Sequence, residues 1–262
     1  MTEVAVASHP QRFLAWALLL SIPFHVWGVL WPVEGLPFRL PVSVIIIIIP
    51  AVVATVLTLR ESGARRAVAL WLRVADVRRI AGAGWPALAL LTMPLASLLA
   101  FGIMRVFGLP LPKTIHVALA HAPALIAVFF VGAILEEIGW TGYATEPLQR
   151  RYGVAGAGLI IGGVWALWHV PAWWLAQGHT IPWVIGQSLA TIAMRVIMGQ
   201  IYAAGGRSLC LAILFHAMIN VSWVLFPNDG SHYDPLIIAP ILAAMAGALA
   251  MAGAAGRARQ LS

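Results

Sequence analysis

Residues 41–59 read Pro-Val-Ser-Val-Ile-Ile-Ile-Ile-Ile-Pro-Ala-Val-Val-Ala-Thr-Val-Leu-Thr-Leu, a stretch without a single charge. A bilayer crossing needs about 20 mostly apolar residues, and this stretch supplies them. It carries no alternation of apolar and polar positions over segments of about 10 residues, here or elsewhere in the chain, so a membrane β-barrel is not predicted. Composition extends the reading to all 262 residues: 61% are hydrophobic and 10% are charged. A soluble domain averages about 25% charged residues, so this chain cannot build a water-facing surface. Its apolar content excludes disorder. One cysteine, Cys210, excludes a disulfide framework and a cysteine-rich metal site, and is expected to be a small buried residue.

Working outward, about eight apolar stretches qualify as spans: roughly 13–31, 41–59, 85–107, 119–144, 154–175, 181–204, 208–226 and 236–255. The predicted fold is therefore all-α, a polytopic integral membrane protein of about eight transmembrane helices, with residues 1–262 forming a single transmembrane domain. No small-x-small cleavage pattern follows the first apolar run, so it reads as a retained helix. With the N-terminus inside, twelve basic residues fall on the inner side: Arg12, Arg60, Arg65, Arg66, Arg73, Arg78, Arg79, Arg150, Arg151, Arg207, Arg257 and Arg259. Arg39, Arg105 and Lys113 fall outside. The positive-inside rule then places both termini in the cytoplasm of a cell-membrane protein. The net charge of +7 is explained by topology and calls for no nucleic acid. Residues 60–80 read either as an interfacial basic helix, with Leu70, Trp71, Val74 and Val77 toward lipid, or as a solvated loop. Gly158 and Gly162 form a small-xxx-small pair suited to close helix packing.

Charged and polar residues inside a membrane are costly and are functional candidates by default. Glu136 and Glu137 lie in the fourth span, His169 in the fifth, Arg195 in the sixth, and His216 and Asn220 in the seventh. Counted from each span's cytoplasmic end, Glu136 and His216 lie about 12 Å deep and His169 about 16–22 Å, depths compatible with one shared cavity. His216 and Asn220 are four apart and share a helix face, as do Trp165 and His169. Adjacent Glu136 and Glu137 point about 100° apart. A buried carboxylate can act as general base, a histidine can orient water or carry the proton, and a second His with Asn can supply donors to an oxyanion. Together these groups suffice for water attack on an amide. The other histidines (His9, His25, His116, His121, His179 and His232) sit near ends or loops and receive no role. Tryptophans near span ends, including Trp27, Trp31, Trp173, Trp174 and Trp183, fit an interfacial belt.

The stretches Glu136-Glu137-Ile138-Gly139-Trp140-Thr141-Gly142-Tyr143, Trp165-Ala166-Leu167-Trp168-His169-Val170-Pro171 and His216-Ala217-Met218-Ile219-Asn220 resemble the three signature motifs of the CPBP family. That family contains the CAAX prenyl endopeptidases and the bacterial bacteriocin-processing and abortive-infection proteins. The resemblance covers about residues 120–225, the expected catalytic core. It implies an eight-helix membrane fold and an intramembrane endopeptidase. It implies Glu136 as the activator of water, Glu137 as its support, His169 as the holder of that water, and His216 with Asn220 as the oxyanion site. Two positions depart from the family's pattern. Thr141 stands where arginine is usual, four residues after the second glutamate, and Trp165 stands where phenylalanine is common. Arg195 is the candidate counter-ion in place of that arginine.

No cofactor is expected. The alternative is zinc on Glu136, Glu137, His169 and His216, a donor set that leaves a position for water. No H-E-x-x-H is present, however, and Asn220 is an unusual zinc ligand. Neither a G-x-S-G serine motif nor an intramembrane aspartate is found. The expected partners are membrane lipid and a membrane-associated protein or peptide, cleaved from the cytoplasmic side. Two other classes stand beside the protease: a non-catalytic membrane scaffold or immunity protein of the same fold, and a proton-coupled transporter. The second lacks the inverted repeats and paired broken helices of transporters.

Overall fold

The structure is a computed structural model that describes residues 9–30, 42–116 and 122–261. The predicted span ends at 31, 41 and 119–121 lie outside them, as do Trp31, Arg39 and His121. Among the described residues every regular element is helical. In chain order these are α1 (Pro10–Leu30), α2 (Ile49–Ser62), α3 (Ala64–Leu72), α4 (Gly84–Val106), α5 (Ala122–Glu137), α6 (Glu146–Pro171), α7 (Ile181–Ala204), α8 (Leu209–Val224) and α9 (Pro235–Leu261). A 3-10 lead-in, Val42–Ile48, precedes α2, and wide π turns join α5 to α6 (Ile138–Thr145) and close α6 (Ala172–Ala176).

Six helical stretches among the described residues are long and apolar enough to cross a membrane, against the eight predicted. One is a 54-residue run, Pro123–Ala176, which holds two of the predicted spans. A straight helix of that length would measure about 80 Å against a hydrocarbon core of about 30 Å. The run turns at Gly153, whose φ of 72° and ψ of 173° are not helical and lie where side chains other than glycine are strained. The predicted span 208–226 corresponds to α8, which has 16 residues and falls short of the length. Along α4, Leu91, Leu95, Leu98 and Leu99 point outward and are exposed. Such a continuous apolar face suits lipid rather than water. The chain is an all-helical, multi-pass membrane protein.

Within the bundle α7 packs between α6 and α9, α8 packs against α4 and α5, and α1 and α2 close over the Ile138–Thr145 turn. Glycine sets the α6–α7 contact, as the small-xxx-small pair predicts. A Cβ on Gly158 would fall 2.8 Å from Val196 Cα, and one on Gly162 would fall 2.8 Å from Ile192 Cα and 3.1 Å from Arg195 Cβ. The backbone of α7 therefore lies directly on α6, and that approach carries Arg195 into the centre of the molecule.

Residues 64–79 are helical, as α3 followed by 3-10 turns at Arg73–Ala75 and Val77–Arg79. Trp71 and Val77 are exposed, but Leu70 is buried and Val74 packs against the core, so these two face protein and not lipid. Leu70 Cδ1 sits 2.9 Å from where a Cβ of Gly142 would be. Polar contacts tie the segment down further. The Arg73 guanidinium donates to Tyr202 Oη at 2.5 Å and to Gly142 O at 3.2 Å, and pairs with Glu146 at 3.5 Å. Asp76 accepts from Ser208 Oγ (2.7 Å), Leu209 N (3.1 Å) and Cys210 N (3.2 Å), which satisfies two open N–H groups in the first turn of α8. Cys210, expected buried, is half-buried in that turn. His25, expected near an end, is instead buried within α1.

Candidate active site

Glu136 and Glu137 close α5, immediately before the π turn Ile138–Thr145. Wide turns of this kind recur at functional sites because the extra residue per turn re-aims side chains. The threonine hydroxyl of Thr145 donates to Trp140 O at 2.9 Å across five residues and pins the turn from within. Gly139 keeps the turn close to its neighbours, since a Cβ there would meet Pro50 O at 2.6 Å and the Phe13 ring at 2.7 Å. About 100° of helix rotation separates the two glutamates, and they reach different partners.

Glu137 is completely buried and carries four interactions. Arg195 from α7 grips it through two parallel bonds, Nη2 to Oε1 and Nη1 to Oε2, both 2.7 Å. Thr141 Oγ1, one helical turn on, donates to Oε2 at 2.5 Å. His216 Nδ1, from α8, lies 2.7 Å from Oε1. A carboxylate facing Nδ1 makes that nitrogen the donor and leaves Nε2 to face elsewhere. Arg195 is itself only 3% exposed, and its guanidinium carbon stands 4.3 Å from the centroid of Trp165 and 6.0 Å from that of Trp140. The planar fork of arginine suits such a bidentate, ring-stacked burial.

Glu136 is held differently. Its Oε2 accepts from Trp165 Nε1 at 2.8 Å. Its Oε1 stands 4.0 Å from His216 Nε2, beyond direct hydrogen-bond reach, and makes no hydrogen bond with the described residues. One carboxylate is thus saturated and its neighbour keeps an open oxygen. His169 donates from Nδ1 to Trp165 O at 2.9 Å, an assignment forced by the carbonyl acceptor, so its Nε2 carries a free lone pair. Its ring stacks on Trp173 at 5.1 Å and 13° and meets the edges of Trp165 and Trp168. Trp140 and Trp168 are fully buried and pack edge to face at 5.7 Å, and Trp168 Nε1 donates to Ser21 Oγ at 2.6 Å.

Of the six residues singled out from sequence, Glu136, Glu137, Arg195 and His216 meet in one cluster, and His169 joins it through Trp165. Asn220 lies one turn beyond His216 on the same face of α8, half-buried, with no hydrogen bond to the described residues. Among the described residues no group of three or more His, Cys, Asp or Glu side chains is arranged to hold a metal ion. Arg195, Thr141 and His216 already occupy both oxygens of Glu137. Two participants escaped the sequence reading. Thr141 counted there as a lost arginine, although its spacing of four from Glu137 puts the two on one face. Trp165 counted as an aromatic variant, although only a tryptophan in that position carries an N–H.

Residues 118–222 match the family described as Type II CAAX prenyl endopeptidase Rce1-like. CAAX prenyl protease 2 of Methanococcus maripaludis is 30% identical over 106 residues, which is 37% of this chain and 39% of that protein. The chain thus spans well under half the length of the curated relative it matches. The fold and site define a polytopic helical membrane protein with a buried Glu–Arg–His cluster. The region 118–222, which matches that family model, is also the region that builds the cluster.

Proposed function

We propose that the protein is a CAAX-protease-like intramembrane endopeptidase that hydrolyses peptide bonds of membrane-associated proteins or peptides by glutamate-activated water. The observation that carries this reading is the inequality of the two glutamates. Glu137 has every acceptor direction engaged by Arg195, Thr141 and His216, whereas Glu136 keeps Oε1 open beside His216. Glu136 is then the general base. His169, with its lone pair on Nε2, accepts a hydrogen bond from the same water. As the water oxygen bonds to the scissile carbonyl carbon, its proton passes to Glu136. His216 in its imidazolium form has Glu137 to balance it at Nδ1 and an N–H at Nε2 to donate to the developing oxyanion. The free amide of Asn220 is the second donor, and one such donor is worth about 2.7–4 kcal/mol in related chemistry. When the carbon–nitrogen bond breaks, Glu136 returns the proton to the leaving amine. Glu137 touches no reacting atom in this scheme; it orients His216. Arg195 supplies the positive charge that Thr141 does not.

The cell membrane is the proposed location, with both termini in the cytoplasm and cleavage from that side. The test uses the purified full chain in lipid nanodiscs with a library of peptides drawn from membrane proteins. Cleavage that disappears in Glu136→Gln and survives a chelator supports the reading. Cleavage abolished by the chelator and restored by zinc replaces it with metal-assisted hydrolysis. A folded wild type that cleaves nothing, with or without zinc, favours the scaffold.

A further inference from the structure

The Trp165 side chain touches three members of the cluster, Glu136, Arg195 and His216. Its indole N–H donates to Glu136 Oε2 at 2.8 Å, its ring face lies 4.3 Å from the Arg195 guanidinium carbon, and its ring packs edge to face on His216 at 5.1 Å. Its own carbonyl takes the Nδ1 proton of His169 at 2.9 Å. It is 3% exposed and buried in α6. A glutamate side chain has several free torsions, and tethering one oxygen of its carboxylate decides where the other points. The tether runs to Oε2, and the oxygen left open is Oε1, on the His216 side.

We propose that Trp165 is a positioning residue: its indole N–H locks the Glu136 carboxylate in the orientation that aims Oε1 at the reacting water. This rests on Glu136 being the general base. A phenylalanine would keep the ring contacts with Arg195 and His216 and would leave the backbone carbonyl for His169. It would remove only the donor.

The variant to make is therefore Trp165→Phe, assayed in nanodiscs on whichever peptide the wild type cleaves. The expected result is a fall in kcat of about 10–100-fold, the scale of a mispositioned reacting group, with KM within twofold, because the buried indole does not reach substrate. A second readout does not depend on turnover. In a 1H–15N spectrum of the indole groups, Trp165 is assigned by the peak missing from Trp165→Phe. In Glu136→Leu, which leaves no side-chain acceptor, that peak moves toward the position of an unbonded indole. An unmoved peak overturns the tether, and so does a Trp165→Phe enzyme with wild-type kcat. If the wild type cleaves nothing yet the peak moves, the tether stands and the protease reading is what has failed.

Discussion

Replacing Gly162 with alanine puts one methyl group between the helix that carries the second motif and the helix that carries Arg195. The new Cβ would lie 2.8 Å from Ile192 Cα, 3.2 Å from Ile192 O and 3.1 Å from Arg195 Cβ, where ordinary contact begins at 3.4 Å. Two of these three are backbone atoms, so a rotamer change does not relieve them. Helix α7 must retreat by at least about 0.6 Å at this level to restore van der Waals separation. A guanidinium carried with it stretches its two 2.7 Å bonds to Glu137 to about 3.3 Å, past the range of a good hydrogen bond. Glu137 then holds His216 less firmly, and displacements approaching 1 Å cost about 100-fold in rate. Overpacking of this kind also costs about 1–3 kcal/mol of stability. The neighbouring Gly163 provides the control, because a Cβ there meets nothing within 4 Å. Gly163→Ala should keep full activity and gain up to about 1 kcal/mol from helix propensity. The assay compares peptide cleavage and thermal melting of both variants in nanodiscs. If Gly162→Ala cleaves within twofold of Gly163→Ala and melts no lower, the tight α6–α7 approach does not position Arg195.

Three further outcomes follow from the same contacts. Glu137→Gln leaves Arg195 buried without its counter-charge and should destabilise by about 3–5 kcal/mol, whereas Glu136→Gln, which breaks no ion pair with arginine, should melt close to wild type; equal melting of the two would contradict the division of roles. Arg195→Met should lose stability on the same scale, and adding Thr141→Arg should recover part of it by returning a guanidinium to Glu137 from its own helix; a double variant less stable than Arg195→Met shows that position 141 cannot reach. Asp76→Ala strips the first turn of α8 of its acceptor and should lower stability by about 1–2 kcal/mol, read by melting; an unchanged melt means water caps that turn as well as Asp76 does.

Much of this molecule follows from local sequence. The long uncharged stretches dictate helices in lipid, because a backbone without water must satisfy its own hydrogen bonds. The intramembrane Glu, His, Arg and Asn residues mark the site, because burying them without use is costly. Gly158 and Gly162 announce a close helix contact, because only small residues permit one. Segment division is less legible: a single non-helical glycine at 153 separates two passes that hydropathy alone treats as unrelated spans, and α8 is shorter than its apolar window. Which glutamate is open and which is saturated was decided by three helices arriving from elsewhere in the chain. Arg195 lies 58 residues from Glu137, His216 lies 79 away, and Trp165 lies 29 from Glu136. Hydropathy and spacing place a residue at a depth and on a face of its own helix. They carry no information about the rotation and separation of neighbouring helices, and it is those that aim two adjacent, chemically identical side chains at different partners.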